Sequence, residues 1–599
     1  MTSNGVCLGE CRAQCPLNCF HLSFSQFQKY LYQGFTSGSA DSRAKTFSIL
    51  KSKIISWLKD AESAQDNLSH SNGGTHSNGG THRNGEGNGE PNTPCAVAIL
   101  EQHLEWLFCL SVQCPLEDVR QWCTQLMAII EQSEQIQNKV KITLKLQELN
   151  AAVERGASSF IPCDLIVPVS NPPKETKALF TEAYRHNNRL DYLTQIMGFH
   201  PQYLACFIRT QNRLIRADGP IPYTHRHYIA IIAAARHQCT YLVHLHTAEY
   251  LHAGGDRKWL ESLDNVPVKL RNLQEINRLL AHRPWMVTRK TIESLCRCGR
   301  NSWTMSELTH AIVLLAHFHA LSSAVFGCGV NFELDDTSGR LLHSDGESNS
   351  ESDTENNPSD KAAVDTLLDR LQELKNEAEE YSEEEGKRRF ESIETQATEY
   401  PIVQARNSES GSCSPSSCVK SASKVESSTS HLVDHPEFVY ADFAKYKEKD
   451  TVLTFRASDC SWETHGFSIA NRFYPDIGDL LDEKFRVAKQ FTYNTVGEKY
   501  TNVNTQDFRT GIWNYIHCIM GIRHDDYDYG RVNSLLEKGL KSFIKLMTCY
   551  PERVRQKDFD GIMVGFTYSE KIHVNIILLE AKMQAELMYA LRAVAQFMT

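Results

Sequence analysis

Apolar residues recur at helical spacing along most of this chain, and the alternation that marks strands is almost absent. The closing stretch shows it best. Ile572, Ile576, Leu579, Met583, Leu587 and Leu591 fall on one face of a helix running from Lys571 to Phe597. The same spacing predicts helices from Lys177 to Arg185, Arg189 to Met197, Tyr203 to Leu214, His225 to His237, Thr240 to His252 and Met305 to Phe326. It continues from Leu480 to Gln490, Phe508 to Met520 and Val532 to Cys549, and an all-α fold follows. At 599 residues the chain exceeds what one core organises, so two to four domains are expected.

A net charge of −10 argues against a nucleic-acid binder, which needs a basic face to neutralise phosphates. The longest apolar runs, Tyr228 to Ala235 and Ala311 to Ala316, are far too short to span a bilayer, so no membrane insertion is expected. Nothing at the start reads as a signal peptide, which points to the cytoplasm, and to the nucleus as well. In that setting the nineteen cysteines read as reduced thiols rather than a disulfide framework. Cys7, Cys11, Cys15 and Cys19 repeat every four residues, a spacing able to seat a metal or carry acylation. Pro16 interrupts the helix that would align them, and no second ligand pair completes a zinc pattern, so no metal site is assigned.

Composition divides the chain. Residues 1–159 form an N-terminal extension. Within it, a Gly/Asn/His tract over residues 68–94 repeats His-Ser-Asn-Gly-Gly-Thr and is too polar to fold, and two amphipathic helices over residues 95–155 make a hairpin. A helical domain spans residues 160–334. Residues 335–450 turn acidic and serine-rich, a linker with one helix over residues 362–381 carrying Val364, Leu367, Leu368, Leu371 and Leu374. A second helical domain occupies residues 451–599.

Within the first domain, Cys239 and His246 lie seven residues apart inside a long helical pattern, and on a helix of 3.6 residues per turn that spacing puts both on one face. A thiol beside an imidazole is the pattern of a nucleophile with its base. A buried cysteine and a core histidine give the same spacing.

Gly198-Phe199-His200-Pro201-Gln202-Tyr203, Arg226-His227-Tyr228-Ile229-Ala230 and Ala233 through Tyr241 resemble the N-terminal domain of the sestrins. Thr492-Tyr493-Asn494-Thr495, Ile512-Trp513-Asn514-Tyr515 and Asp525-Asp526-Tyr527-Asp528-Tyr529-Gly530 resemble the C-terminal domain of that family, as does the closing run from Glu580 to Ala593. The length of the N-terminal extension suggests an invertebrate or divergent member. The resemblance implies two AhpD-like helical domains joined by a flexible linker. It matches Cys239 and His246 to the attacking cysteine and the histidine of an alkyl hydroperoxide reductase, and Tyr241 to a sestrin tyrosine able to position peroxide. Leu242 stands where the resolving cysteine belongs, so turnover would need a thiol from elsewhere. Catalysis and a vestigial site both remain open.

The resemblance also implies an amino-acid sensor that restrains TOR signalling, with L-leucine as ligand and no cofactor. Glu570 then receives the ammonium and Arg509 the carboxylate. Thr492, Tyr493, Asn494 and Thr495 form a lid, Thr505 adds hydrogen bonds, and Phe508, Met563 and Phe566 make the apolar cup, with His573 at its edge. Phe508 and Met563 replace the leucine and tryptophan of the vertebrate pattern, which changes the cup's shape. Asp525 and Asp526 match residues that contact the GATOR subcomplex, and paired carboxylates suit a basic partner surface. A bare reading of the same residues gives an Arg509–Glu570 surface ion pair and a helix cap at Asp525–Asp526.

Overall fold

The computed structural model describes residues 32–71, 96–132, 139–334, 360–374, 382–396, 429–443, 455–490, 495–497, 500–501 and 503–599. Cys7, Cys11, Cys15 and Cys19, most of the Gly/Asn/His tract, and the lid residues Thr492, Tyr493 and Asn494 lie outside them; of Thr495 only the backbone is described. The fold is all-α. The strands among the described residues are two residues long each: β1 (Phe455–Arg456) pairs in parallel with β4 (Ile522–Arg523), and β2 (Thr495–Val496) pairs antiparallel with β3 (Tyr500–Thr501).

Two compact units divide the chain. The first, residues 1–111 and 118–142, is built on α1 (Ala40–Ser71), α2 (Ala96–Gln113) and α3 (Glu117–Gln132). Phe35, Leu50, Ile54, Leu104, Leu107 and Leu126 fill its core. Tyr32 Oη lies 2.9 Å from His103 Nδ1, and Trp57 stacks on the same imidazole. Arg43 pairs with Asp118 at 2.6 Å. The sequence predicts two helices between residues 95 and 155; the described residues there are helical over α2, α3 and Lys139–Arg155 (α4).

The second unit, residues 112–117 and 143–599, holds both predicted helical domains. It runs through α5 (Lys174–Asn187), α6 (Tyr192–Met197), α7 (Pro201–Gln211), α8 (Tyr223–Arg236), α9 (Thr240–His252), α10 (Val268–Arg271), α11 (Leu273–His282), α12 (Arg289–Cys296) and α13 (Met305–Gly327). Two linker helices follow, α14 (Asp360–Glu373) and α15 (Glu383–Gln396). Then come α16 (Phe467–Phe473), α17 (Ile477–Gln490), α18 (Gln506–Ile519), α19 (Gly530–Leu535), α20 (Lys538–Cys549), α21 (Gln556–Asp560) and α22 (Tyr568–Met598).

The long helices α13 and α22 pack on each other along the centre of this unit. Both begin with the same device. Thr304 and Glu307, and Thr567 and Glu570, form reciprocal capping boxes that satisfy the first orphan N–H groups of each helix. Such caps contribute about 1 kcal/mol each. By length and composition α13 would also suit a membrane, but here it is buried within the helical core. Gly327 ends α13 where Met547 and Asn575 close in; an added Cβ would sit 2.1 Å from Met547 Cε.

The single apolar face predicted for the last helix is a correction. From Glu570 to Ala590 every residue of α22 is buried, charged ones included. Glu580 pairs with Lys484 at 3.1 Å and accepts the Tyr203 hydroxyl, all three side chains being buried. Glu586 meets His319 Nδ1 at 2.8 Å, and His319 Nε2 faces Asn277 Oδ1 at 2.8 Å. Burial pushes the His319 imidazole down and the Glu586 carboxyl up, each toward its neutral form. Lys582 donates to Ser323 at 3.0 Å. These links join the two helical halves through a polar seam.

The linker is more built than its composition suggests. Val364, Leu367 and Leu371 of α14 are buried as the stripe predicts, but the helix ends at Glu373 rather than 381. In α15, Phe390 and Ile393 are buried and Phe390 meets Tyr529 edge-on. Residues 429–443 also pack down, with Asp434 bridging Arg236 at 2.5 Å and Arg278 at 2.6 Å. The helix expected from Val532 to Cys549 is broken in two after Leu535.

Candidate functional site

Cys239 is not inside a helix. Gln238 adopts a left-handed backbone (φ 55°), and Cys239 is the N-cap residue of α9. The left-handed turn falls in the gap between the helices expected over His225 to His237 and Thr240 to His252. His246 lies seven residues on, about 10 Å along the axis at 1.5 Å per residue, and no hydrogen bond joins it to Cys239. Instead His246 Nδ1 lies 3.0 Å from His227 Nδ1, and burial lowers the His246 pKa to about 4. The Leu242 N–H and the Ser322 hydroxyl favour a thiolate at Cys239, but burial outweighs them and pushes the thiol up to about 12.

A cavity of about 40 Å³ lies beside this site, lined by Tyr241, Leu242 and His246 but not by Cys239. The Tyr241 hydroxyl is committed elsewhere. It donates to Glu333 Oε1 at 2.7 Å, where the Tyr192 N–H also donates at 2.8 Å. Burial raises the Glu333 carboxyl to about 7. His227, Ser322 and Glu333 complete this region and were not singled out from the sequence. At neutral pH the arrangement holds a protonated thiol and, at His246, a neutral imidazole, which is poor chemistry for a peroxidatic nucleophile.

The second predicted site is built differently. Arg509 lies in the first turn of α18 and is buried, so it does not form the surface ion pair that a bare reading predicts. Its Nε donates to Thr505 Oγ1 at 3.2 Å and its Nη1 donates to the Lys489 carbonyl at the end of α17. Burial lowers the Arg509 pKa, with no carboxylate offsetting it. Glu570 is also buried, as the third residue of the capping box. It accepts from Thr567 N at 2.7 Å, Thr567 Oγ1 at 3.0 Å and Gly497 N at 3.0 Å. No ion pair joins Arg509 to Glu570. Among the described residues, both side chains are thus buried with only neutral partners.

Gly497 brings the β2–β3 hairpin against the start of α22. Its φ is +60°, and a Cβ there would lie 2.8 Å from the Gly565 carbonyl oxygen. Met563, in the turn before α22, has the left-handed φ of 48° that is uncommon for its residue type. Phe508 and Met563 are buried and Phe566 is half-buried. His573 Nε2 lies 3.2 Å from the Ala488 carbonyl, one residue before the carbonyl that Arg509 holds. The two side chains satisfy adjacent carbonyls at the C-terminus of α17, where donors are favoured. Burial lowers the His573 pKa to about 4, Arg509 adding to the effect. On its other side Arg509 lines a cleft of about 610 Å³ with Trp462, Lys489 and Trp513.

The acidic pair divides. Asp525 accepts from Arg523 Nε at 3.0 Å, Arg456 Nε at 3.1 Å and Ser458 Oγ at 2.6 Å. These groups hold its carboxyl below the usual range. Asp526 is exposed and carries no hydrogen bond or ion pair. Neither residue caps a helix; Asp528 Oδ1 accepts the Gly530 N–H at the start of α19 instead. No cluster able to hold a metal occurs among the described residues.

An all-helical chain with a sealed thiol in one half and a buried, unpaired Arg/Glu couple in the other defines the class. The family model described as PA26 p53-induced protein (sestrin) matches residues 156–598. Mouse Sestrin-3 is 44% identical over 463 residues, covering 74% of this chain and 92% of its own length. Human Sestrin-2 is 43% identical over 456 residues, with 74% and 92% covered. The Drosophila melanogaster Sestrin homolog is 40% identical over 478 residues, with 68% and 93% covered. The chain belongs to the sestrin family.

Proposed function

We propose that this protein is an intracellular, stress-responsive leucine sensor that binds and inhibits the GATOR subcomplex when unliganded, and so restrains TOR signalling. One observation carries the proposal: Arg509 and Glu570 are buried, oppositely charged, unpaired with each other and satisfied only by neutral groups. A buried charge without a counterion is costly. A zwitterionic amino acid supplies both missing partners, its carboxylate to Arg509 and its ammonium to Glu570. Phe508, Met563 and Phe566 surround the side chain; the larger phenyl ring at Phe508 and the flexible thioether at Met563 favour a branched aliphatic ligand over a larger one.

The test is thermal denaturation with each free amino acid. Leucine at one hundred times its Kd should stabilise the protein by about 2.7 kcal/mol. Arg509→Ala and Glu570→Gln should remove that gain. Gln is chosen because it keeps an acceptor for the capping box that Ala would delete. A leucine response unchanged in both variants would refute the assignment.

A further inference from the structure

Lys489 stands between the amino-acid pocket and the partner loop. Its carbonyl, in the last turn of α17, accepts Arg509 Nη1. Its side chain runs the other way, with Nζ 5.6 Å from the centroid of the Trp513 ring. Two clefts, of about 610 and 390 Å³, share a wall made of Trp462, Glu463, Lys489, Trp513 and Gln584. Arg509 lines the larger, and Asp525 and Asp526 line the smaller. Among the described residues no hydrogen bond or ion pair holds Lys489 Nζ, Glu463 or Asp526. The ammonium rests on an indole face within the field of two carboxylates, Glu463 and Asp526, to which it is not bonded.

We propose that Lys489 carries the occupancy of the pocket to the partner loop: a ligand carboxylate that takes Arg509 frees the Lys489 carbonyl, the last turn of α17 gives way, and the ammonium moves from Trp513 onto Asp526. This rests on the sensor reading above. The physical basis is a contest of similar forces. A cation–π contact and a half-exposed ion pair are of comparable strength, so a small change at the helix end decides between them. Asp525 cannot serve as the receiving group, because Arg523, Arg456 and Ser458 already occupy it. Once Asp526 is neutralised, a basic partner surface loses its counter-charge, and leucine binding becomes partner release.

The test uses the full chain as wild type, Lys489→Met and Lys489→Arg. Two quantities are read: the rise in melting temperature with leucine, and capture of the purified GATOR subcomplex with and without leucine. Wild type should lose about tenfold in capture on adding leucine, within the usual range of allosteric coupling. Lys489→Met should keep the leucine-dependent rise and capture the subcomplex in both conditions, losing less than about twofold. Lys489→Arg should release as wild type does. Lys489→Met releasing like wild type would overturn the coupling, as would loss of its thermal response, which would place Lys489 in the pocket itself. Weakened capture without leucine would make it a structural residue. Wild type that binds leucine yet keeps its partner refutes the coupling alone, whereas wild type with no leucine response refutes the sensor reading and the coupling with it.

Discussion

The two halves meet along one seam, and each places a helix beginning beside its candidate site, yet burial has opposite consequences in them. At the start of α9 the ionisable groups near Cys239 are driven neutral: a thiol at about 12 and an imidazole at about 4. At the starts of α18 and α22, Arg509 and Glu570 are buried as unpaired ionic side chains, held by capping groups and backbone carbonyls. Two donors do not outweigh burial at Cys239, whereas Glu570 accepts from Thr567 N, Thr567 Oγ1 and Gly497 N, and Arg509 donates to Thr505 and the Lys489 carbonyl. The first site holds a protonated thiol, and the second holds two unlike side chains apart, as the proposed zwitterion site requires.

The sharpest way to break this contrast is to cut the seam. Lys484→Met leaves Glu580 buried with only the Tyr203 hydroxyl, and should cost about 3–5 kcal/mol. Unfolding of the second unit, followed by fluorescence and circular dichroism, should remain one coincident transition at lower temperature; separate transitions within that unit would mean its halves are independent. Next in size, Arg509→Ala should erase the ~2.7 kcal/mol that saturating leucine adds, while Cys239→Ser keeps it.

Acid should act through the histidines. The buried imidazoles of His200, His246, His282, His310 and His573 have folded pKa values of about 3 to 4, below the unfolded value near 6.5, so the unfolded chain binds more protons below that pH. The stability they contribute is complete above about pH 6.5 and is lost as pH falls toward their folded values. His246 alone, at about 4, should cost about 2 kcal/mol at pH 5. His246→Leu should flatten that part of a denaturant-midpoint curve between pH 7 and pH 5. Glu333, raised to about 7, works in the opposite sense, its penalty growing as pH rises above its unfolded value. The smallest effect is Cys239→Ser, at about 1 kcal/mol or less, because Ser322 and the Leu242 N–H still meet the new hydroxyl. It should leave hydroperoxide consumption unchanged, and a loss of consumption would restore the thiol as a nucleophile.

Much of this was legible in the sequence. The 3.6-residue spacing marks most of the helices, and Thr567-Tyr568-Ser569-Glu570 has the form of a capping box. What it concealed has physical reasons. The break between His237 and Thr240 is legible, but Gln238 is an ordinary helix residue by type, so its left-handed backbone, which makes Cys239 an N-cap, carries no local signal. Helix α15 is so charged that only Phe390 and Ile393, three residues apart, betray its buried side. Glu580, Lys582 and Glu586 read as a solvated face until the other half of the unit covers them. Arg509 and Glu570 were legible as a pair of charges, but not as a pair kept from each other.

Isothermal titration of L-leucine into the full chain at pH 7 tests the central claim most directly. The account predicts one saturable site per chain in wild type, lost in Arg509→Ala and unchanged in Cys239→Ser. Absence of binding to wild type, or binding that survives in Arg509→Ala, would contradict it.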